Sequence, residues 1–244
     1  MNLPRIIARI DIKNNYVIKG IHLEGLRKMG DPNEFALKYY SQGVDEIVFM
    51  DAVASLYDRN QLFDVIEKAS NDVFVPIAVG GGIRSCDDVS KALEVGADKV
   101  IINTGAFRKI DLIYDIANKF GSQCLVGSIE AKRNGSKWYC YTDNGREPTD
   151  FEVGEWVVKL QDAGVGEILL TSVDQEGTKK GFDVNLVHYV DSIANRPIIA
   201  SGGYGIPIHV KDLLKIVQPA ALAFASVLHY EIEDISKIRN HIYQ

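Results

Sequence analysis

Two carboxylates recur in matching contexts: Asp11 within Arg9-Ile10-Asp11-Ile12-Lys13, and Glu130 within Ser128-Ile129-Glu130-Ala131-Lys132. Two carboxyl groups facing one pocket can do general acid–base work, one giving a proton while the other takes one. Each could instead pair with the lysine two residues on, Lys13 or Lys132, as a salt bridge at a rim. The recurrence favours chemistry. Two glycine turns also recur, Val79-Gly80-Gly81-Gly82-Ile83-Arg84 and Ala200-Ser201-Gly202-Gly203-Tyr204-Gly205. Small polar turns, Asn103-Thr104-Gly105 and Ala225-Ser226, follow each. Glycines let backbone N–H groups approach an anion, and a following helix N-terminus adds the positive end of its dipole. One such pair could be only a tight turn. Two pairs in matching places predict two phosphate cradles, and so an elongated substrate with a phosphate at each end.

These residues need elements to position them. Apolar runs rich in Val and Ile predict eight strands: Ile6–Asp11, Ile47–Asp51, Val75–Val79, Lys99–Asn103, Cys124–Glu130, Glu167–Thr171, Pro197–Ser201 and Ala221–Ala225. The runs are nearly all apolar rather than alternating, as in parallel strands covered on both faces. Helical patterns lie between them at Asp31–Gln42, Gln61–Ser70, Asp87–Val95, Asp111–Phe120, Glu152–Ala163, Val184–Ile193 and Ile208–Val217. Asp31-Pro32 and Ser85…Asp88 read as helix starts, and Gly43, Gly96 and Gly164 as helix ends. The second half repeats the first at an offset of about half the 244 residues, the mark of a duplicated unit. Eight βα units with an internal two-fold repeat predict one (βα)8 barrel domain over 1–244, ahead of a doubly wound open sheet. In a barrel Asp11, Asp51, Asn103, Glu130, Thr171 and Ser201 fall at the strand ends that build the active face. A turn-bounded segment, Lys137–Thr142, predicts a hairpin over that same face.

At the opposite strand ends stand Arg5, Glu46, Lys99 and Glu167, two positive and two negative. Pointing inward they would make a salt-bridged ring at the barrel floor, which position alone reads as a structural lid. The composition bounds the rest. A net charge of −6 argues against a sequence-independent nucleic-acid binder. No apolar run approaches membrane-span length, and the N-terminus lacks a signal-peptide core. Three cysteines without ligand spacing fit reduced thiols in the cytoplasm. The five histidines, His22, His188, His209, His229 and His241, show no ligand or triad spacing and read as surface or helix residues. No metal and no cofactor is expected.

These residues together resemble the cyclase subunit of imidazole glycerol phosphate synthase, HisF, essentially end to end. The most specific pieces are Val79-Gly80-Gly81-Gly82-Ile83-Arg84-Ser85, Lys119-Phe120-Gly121-Ser122-Gln123-Cys124 and Gly166-Glu167-Ile168-Leu169-Leu170-Thr171-Ser172. The resemblance implies a (βα)8 barrel that takes ammonia from a glutaminase partner docked at its floor. Ammonia would join a bis-phosphorylated ribulosyl aminoimidazole carboxamide, giving imidazole glycerol phosphate and an aminoimidazole carboxamide ribotide. It implies roles for Asp11 and Glu130 in catalysis. Gly82, Asn103 and Thr104 would hold one phosphate, and Gly177, Gly203 and Ser226 the other. Lys19, Asp51 and Thr171 would line the pocket. Arg5, Glu46, Lys99 and Glu167 would be the ammonia gate, which reverses the structural reading of the ring, and Asp98 would face the glutaminase.

Four positions depart from the family. Its second catalytic residue is an aspartate where this chain has Glu130, and a small neutral residue is usual where Arg9 stands. Ala78 replaces a usual threonine and Glu176 a usual aspartate. Intact cradles and gate around an altered centre are the pattern of a paralogue that conducts ammonia to another enzyme, for instance to amidate an activated surface sugar. Val126-Gly127-Ser128-Ile129 also resembles such paralogues. The third reading, a sibling sugar-phosphate isomerase, has no use for a charged gate.

Overall fold

A computed structural model describes residues 3–53 and 62–243. Eight parallel strands close on themselves in the order β1 (Arg5–Lys13), β4 (Glu46–Asp51), β5 (Ile77–Gly80), β6 (Lys99–Ile102), β7 (Leu125–Asn134), β10 (Glu167–Ser172), β11 (Ile198–Ser201) and β12 (Ala221–Phe224). Pairing of β12 with β1 and of β7 with β10 completes the ring. The fold is the (βα)8 barrel, and the open-sheet alternative falls with that closure.

Strand periodicity sorts the side chains into two cores. Ile6, Ala8 and Ile10 of β1, with Ile47, Phe49, Ile77 and Val79, face outward and pack under the helices. Ile7, Val48, Ala78, Ile101, Val126, Leu169, Ile199, Ala221 and Ala223 face inward and fill the lumen. Each large side chain so buried contributes roughly 1.5–3 kcal/mol. The covering helices use the expected signals. Asp31 accepts the Asn33 and Glu34 amides ahead of Pro32–Ser41, and Ser85 accepts the Asp88 amide ahead of Cys86–Glu94. Gly164 ends Val153–Ala163 in the left-handed conformation.

Boundaries moved where one residue forces them. Strand β5 starts at Ile77 rather than Val75, beyond Pro76, which has no N–H to donate. Strands β6 and β12 stop before Asn103 and Ala225, because short helices, Thr104–Arg108 and Ser226–His229, begin there. The helix expected over Gln61–Ser70 runs Leu62–Asp72, with Gln61 outside the described residues. Also unexpected were a hairpin of β2 (Tyr16–Ile21) with β3 (Glu24–Gly30), and a terminal helix Ile235–Tyr243. The expected hairpin extends β7, pairing it with β8 (Lys137–Thr142) and β8 with β9 (Glu147–Glu152).

Candidate functional site

The carboxylates come from opposite sides of the barrel mouth, because β1 and β7 lie four strands apart in the ring. Asp11 does not pair with Lys13. Its Oδ1 accepts Arg9 Nε at 2.9 Å, and Lys19 Nζ lies 3.8 Å from its Oδ2. Burial pushes the Asp11 carboxyl up, but the Arg9 and Lys19 charges overcome it and hold the group below the usual carboxylate range. Glu130 is as deeply placed, and its Oε2 accepts the Gly145 amide at 2.8 Å. Burial pushes Glu130 up to about 7, against Arg9 and the Gly145 N–H. Two carboxyls with opposite shifts are the arrangement acid–base chemistry requires.

Each glycine turn meets its polar partner. Gly81, Gly82, Asn103, Thr104 and Gly105 line one hollow, which reaches Asp51 and Glu130. Gly177, Gly202, Gly203 and Ser226 line a second, symmetry-related one, with Ser201 and Glu176. The backbone there excludes side chains. Gly203 has φ +106, and a Cβ on it would sit 1.9 Å from the Gly181 carbonyl oxygen. Cations flank both hollows: Arg84, Arg108 and Lys109 beside the first, Lys19, Arg27 and Lys179 beside the second. Asn103 is oriented by donating to the Ser128 and Tyr141 carbonyls at 3.1 and 3.2 Å. Thr104 Oγ1 accepts the Asp143 amide at 3.2 Å. The tip Asp143-Asn144-Gly145, all at positive φ, thus folds over the first hollow and reaches Glu130, on the face expected for the hairpin.

At the floor the four charged residues form a closed ring. Arg5 pairs with both Glu46 and Glu167, and Lys99 does the same, at 3.1 and 2.7 Å. Glu46 is 1 % exposed, and burial raises its pKa against the pull of Lys99 and Arg5. Asp98 is exposed beside the ring, its Oδ2 accepting the Ile77 amide at 2.8 Å.

Asp51 accepts the Val53 amide at the edge of the first hollow. Thr171 is fully buried beneath the mouth, accepting from Arg9 Nη1 at 3.0 Å. Lys19 is buried on Glu176. His229 is in a helix as expected but buried rather than at the surface. It stacks on Tyr39, and burial, with the Lys19 charge, lowers its pKa to about 3. Sequence reasoning passed over the task of Arg9, although the alternation Arg5, Ile7, Arg9, Asp11 already turns it inward. It also missed the Gly145 amide on Glu130, which no local pattern signals.

The family model described as "Histidine biosynthesis protein" matches residues 5–233. The chain belongs to this family. Among curated relatives, three proteins named imidazole glycerol phosphate synthase subunit HisF match over most of their length. The one from Legionella pneumophila is 56% identical over 84% of this chain and 97% of its own. That of Pyrococcus furiosus is 46% identical over 93% and 90%, and one from Dehalococcoides mccartyi 43% over 98% and 94%.

Proposed function

We propose that this chain is the cyclase subunit of an imidazole glycerol phosphate synthase and works in histidine biosynthesis with a glutaminase partner. The observation that carries the reading is the mouth: opposed Asp11 and Glu130, with Glu130 bordering one of two glycine-built hollows and Asp11 on the strand beside the other. That spacing suits a substrate with a phosphate at each end and its reacting carbon between the carboxyls. Backbone N–H groups and flanking cations let an acidic protein hold such a polyanion. Gly82, Asn103 and Thr104 take one phosphate; Gly177, Gly203 and Ser226 take the other. Lys19 and Asp51 line the space between.

Above the floor ring the lumen is apolar as far as the Arg9 side chain, which lies beneath the carboxylates. This supports a route for ammonia from a glutaminase docked against the floor beside Asp98, with Arg5, Glu46, Lys99 and Glu167 as its gate. Ammonia adds to a carbonyl, and the two carboxyls move the protons that let water leave, the ring close and the C–N bond to the departing aminoimidazole carboxamide ribotide break. Three free thiols suit the cytoplasm. The relatives' shared name favours this reading over the ammonia-conducting paralogue.

The test supplies the isolated chain with the bis-phosphorylated ribulosyl aminoimidazole carboxamide and ammonium salt at alkaline pH. Imidazole glycerol phosphate is the expected product. A folded protein that forms none refutes the reading.

A further inference from the structure

Arg9 has no task in the function proposed above. Along β1 the inward residues are Arg5, Ile7, Arg9 and Asp11. Arg5 belongs to the floor ring, Ile7 to the apolar lumen, and Asp11 to the mouth. Arg9 lies between, 2 % exposed. It donates from Nε to Asp11 and from Nη1 to Thr171 on β10. Strands β12 and β11 separate β1 from β10 on the shorter way round. The side chain therefore crosses the lumen rather than following the wall. It lies within the lumen beneath Asp11, between the apolar layer and the mouth. Burying a guanidinium is costly unless its bonds are met, so Arg9 is not a filler of apolar space.

The surrounding charges form a nearly balanced set. Facing Asp11 are Arg9 of its own strand, Lys19 of β2 and the neutral His229 of the helix Ser226–His229. Glu176, after β10, is paired with Lys19 and faces Arg9. Facing Glu130 are Arg9, Asp11 and, from the hairpin tip, Asp143 with the Gly145 amide. Two cations, Arg9 and Lys19, thus meet two carboxylates, Asp11 and Glu176. Among the described residues Glu130 has no cation in hydrogen-bond contact, only the Gly145 amide.

We propose that Arg9 is a positioning residue that divides the proton work between the two carboxyls, fixing Asp11 as the acceptor and leaving Glu130 as the donor. The division rests on the cyclase reading and assigns roles within it. When ammonia adds to the carbonyl carbon, a C–N bond forms and the C–O π bond breaks. Asp11 takes a proton from the nitrogen. The π electron pair moves to oxygen, which receives the Glu130 proton. Asp11 then carries one proton and Glu130 lacks one. Passing a single proton from the first to the second restores the site with no net change. The low titration of Asp11 and the raised titration of Glu130 agree with that direction.

Arg9→Met keeps the length and removes the charge, and Arg9→Lys keeps the charge. Ammonia-driven turnover is followed from about pH 5 to 9 at constant free ammonia. In Arg9→Met both limbs are expected to move to higher pH, the acid limb set by Asp11 by about one unit or more and further than the alkaline limb set by Glu130, because Asp11 alone loses a hydrogen-bonded charge while Glu130 loses a more distant one. Arg9→Lys should return them most of the way. A uniform drop in rate with both limbs in place overturns the proposal. A readout independent of Arg9 variants and of turnover is the infrared band of a protonated carboxyl in the wild-type chain near pH 6. It should vanish in Glu130→Gln and persist in Asp11→Asn, and the reverse also overturns the proposal. A wild-type chain with the expected band and no turnover refutes the cyclase reading alone.

Discussion

The replacement of Glu130 by aspartate tests whether the longer side chain is a defect or a fit. The family's aspartate suggests that Glu130→Asp repairs the site. The geometry argues the opposite. Glu130 Oε2 reaches the Gly145 amide at 2.8 Å, and that amide is fixed by a tip whose three residues hold positive φ and which also binds Thr104. Removing one methylene withdraws the carboxyl by about 1.5 Å, beyond hydrogen-bond range of Gly145. A hydrogen bond to a charged group contributes about 1.5–3 kcal/mol. If it is equally important in the transition state, its loss lowers the rate by roughly 10- to 100-fold, the range also expected for a displacement of about 1 Å in a reacting group. The assay is kcat for ammonia-driven ring closure at saturating substrate, with thermal unfolding to show that the variant folds. A Glu130→Asp chain as fast as the wild type, or faster, would refute the argument that this mouth is built around glutamate.

Three further outcomes follow from the same contacts. Glu130 titrates near 7 in the folded chain against about 4.5 unfolded, so between those values the native state binds the extra proton. The Glu130 contribution to stability then falls as pH rises from about 4.5 to 7, by roughly 2–4 kcal/mol, and denaturant titrations should show a fall smaller by that amount in Glu130→Gln, where the likewise raised Glu46 still titrates. Glu46→Gln leaves Arg5 and Lys99 sharing Glu167 alone; both cations are partly exposed, so a loss of about 1–3 kcal/mol is expected, seen as a Tm drop of several degrees. Gly203→Ala puts a methyl group against the Gly181 carbonyl and holds an L-residue at φ +106; it should weaken protection of the fold by added phosphate and cost at least ~2 kcal/mol, and a variant stabilised by phosphate like the wild type would count against the second cradle.

Much of this architecture is local in origin and could be read in the chain. Apolar strands such as Lys99–Ile102 and Glu167–Ser172 announce burial on both faces, and their first residues are the floor charges. The helix starts at Asp31 and Ser85 lie next to the amides they cap. The β2–β3 hairpin was invisible because its exposed strand, Glu24–Gly30, carries polar residues and its pairing is irregular. The site itself depends on contacts the chain order hides. Lys19 and Glu176 are 157 residues apart and Arg9 and Thr171 are 162 apart, so only closure of the barrel brings them together. Arg9 was conspicuous as a substitution, but its function depends on which wall its guanidinium reaches.

The floor ring has one more property. Around the circumference its charges alternate, Arg5, Glu46, Lys99, Glu167, with no net charge. Such an arrangement is a quadrupole, whose potential falls as the inverse cube of distance, far faster than that of a lone ion pair. The main perturbers of Asp11 and Glu130 accordingly include no member of the ring. The barrel thus carries two charged layers, separated by hydrocarbon, that titrate independently. A partner that rearranges the lower layer can change what passes through it without altering the protonation of the upper one.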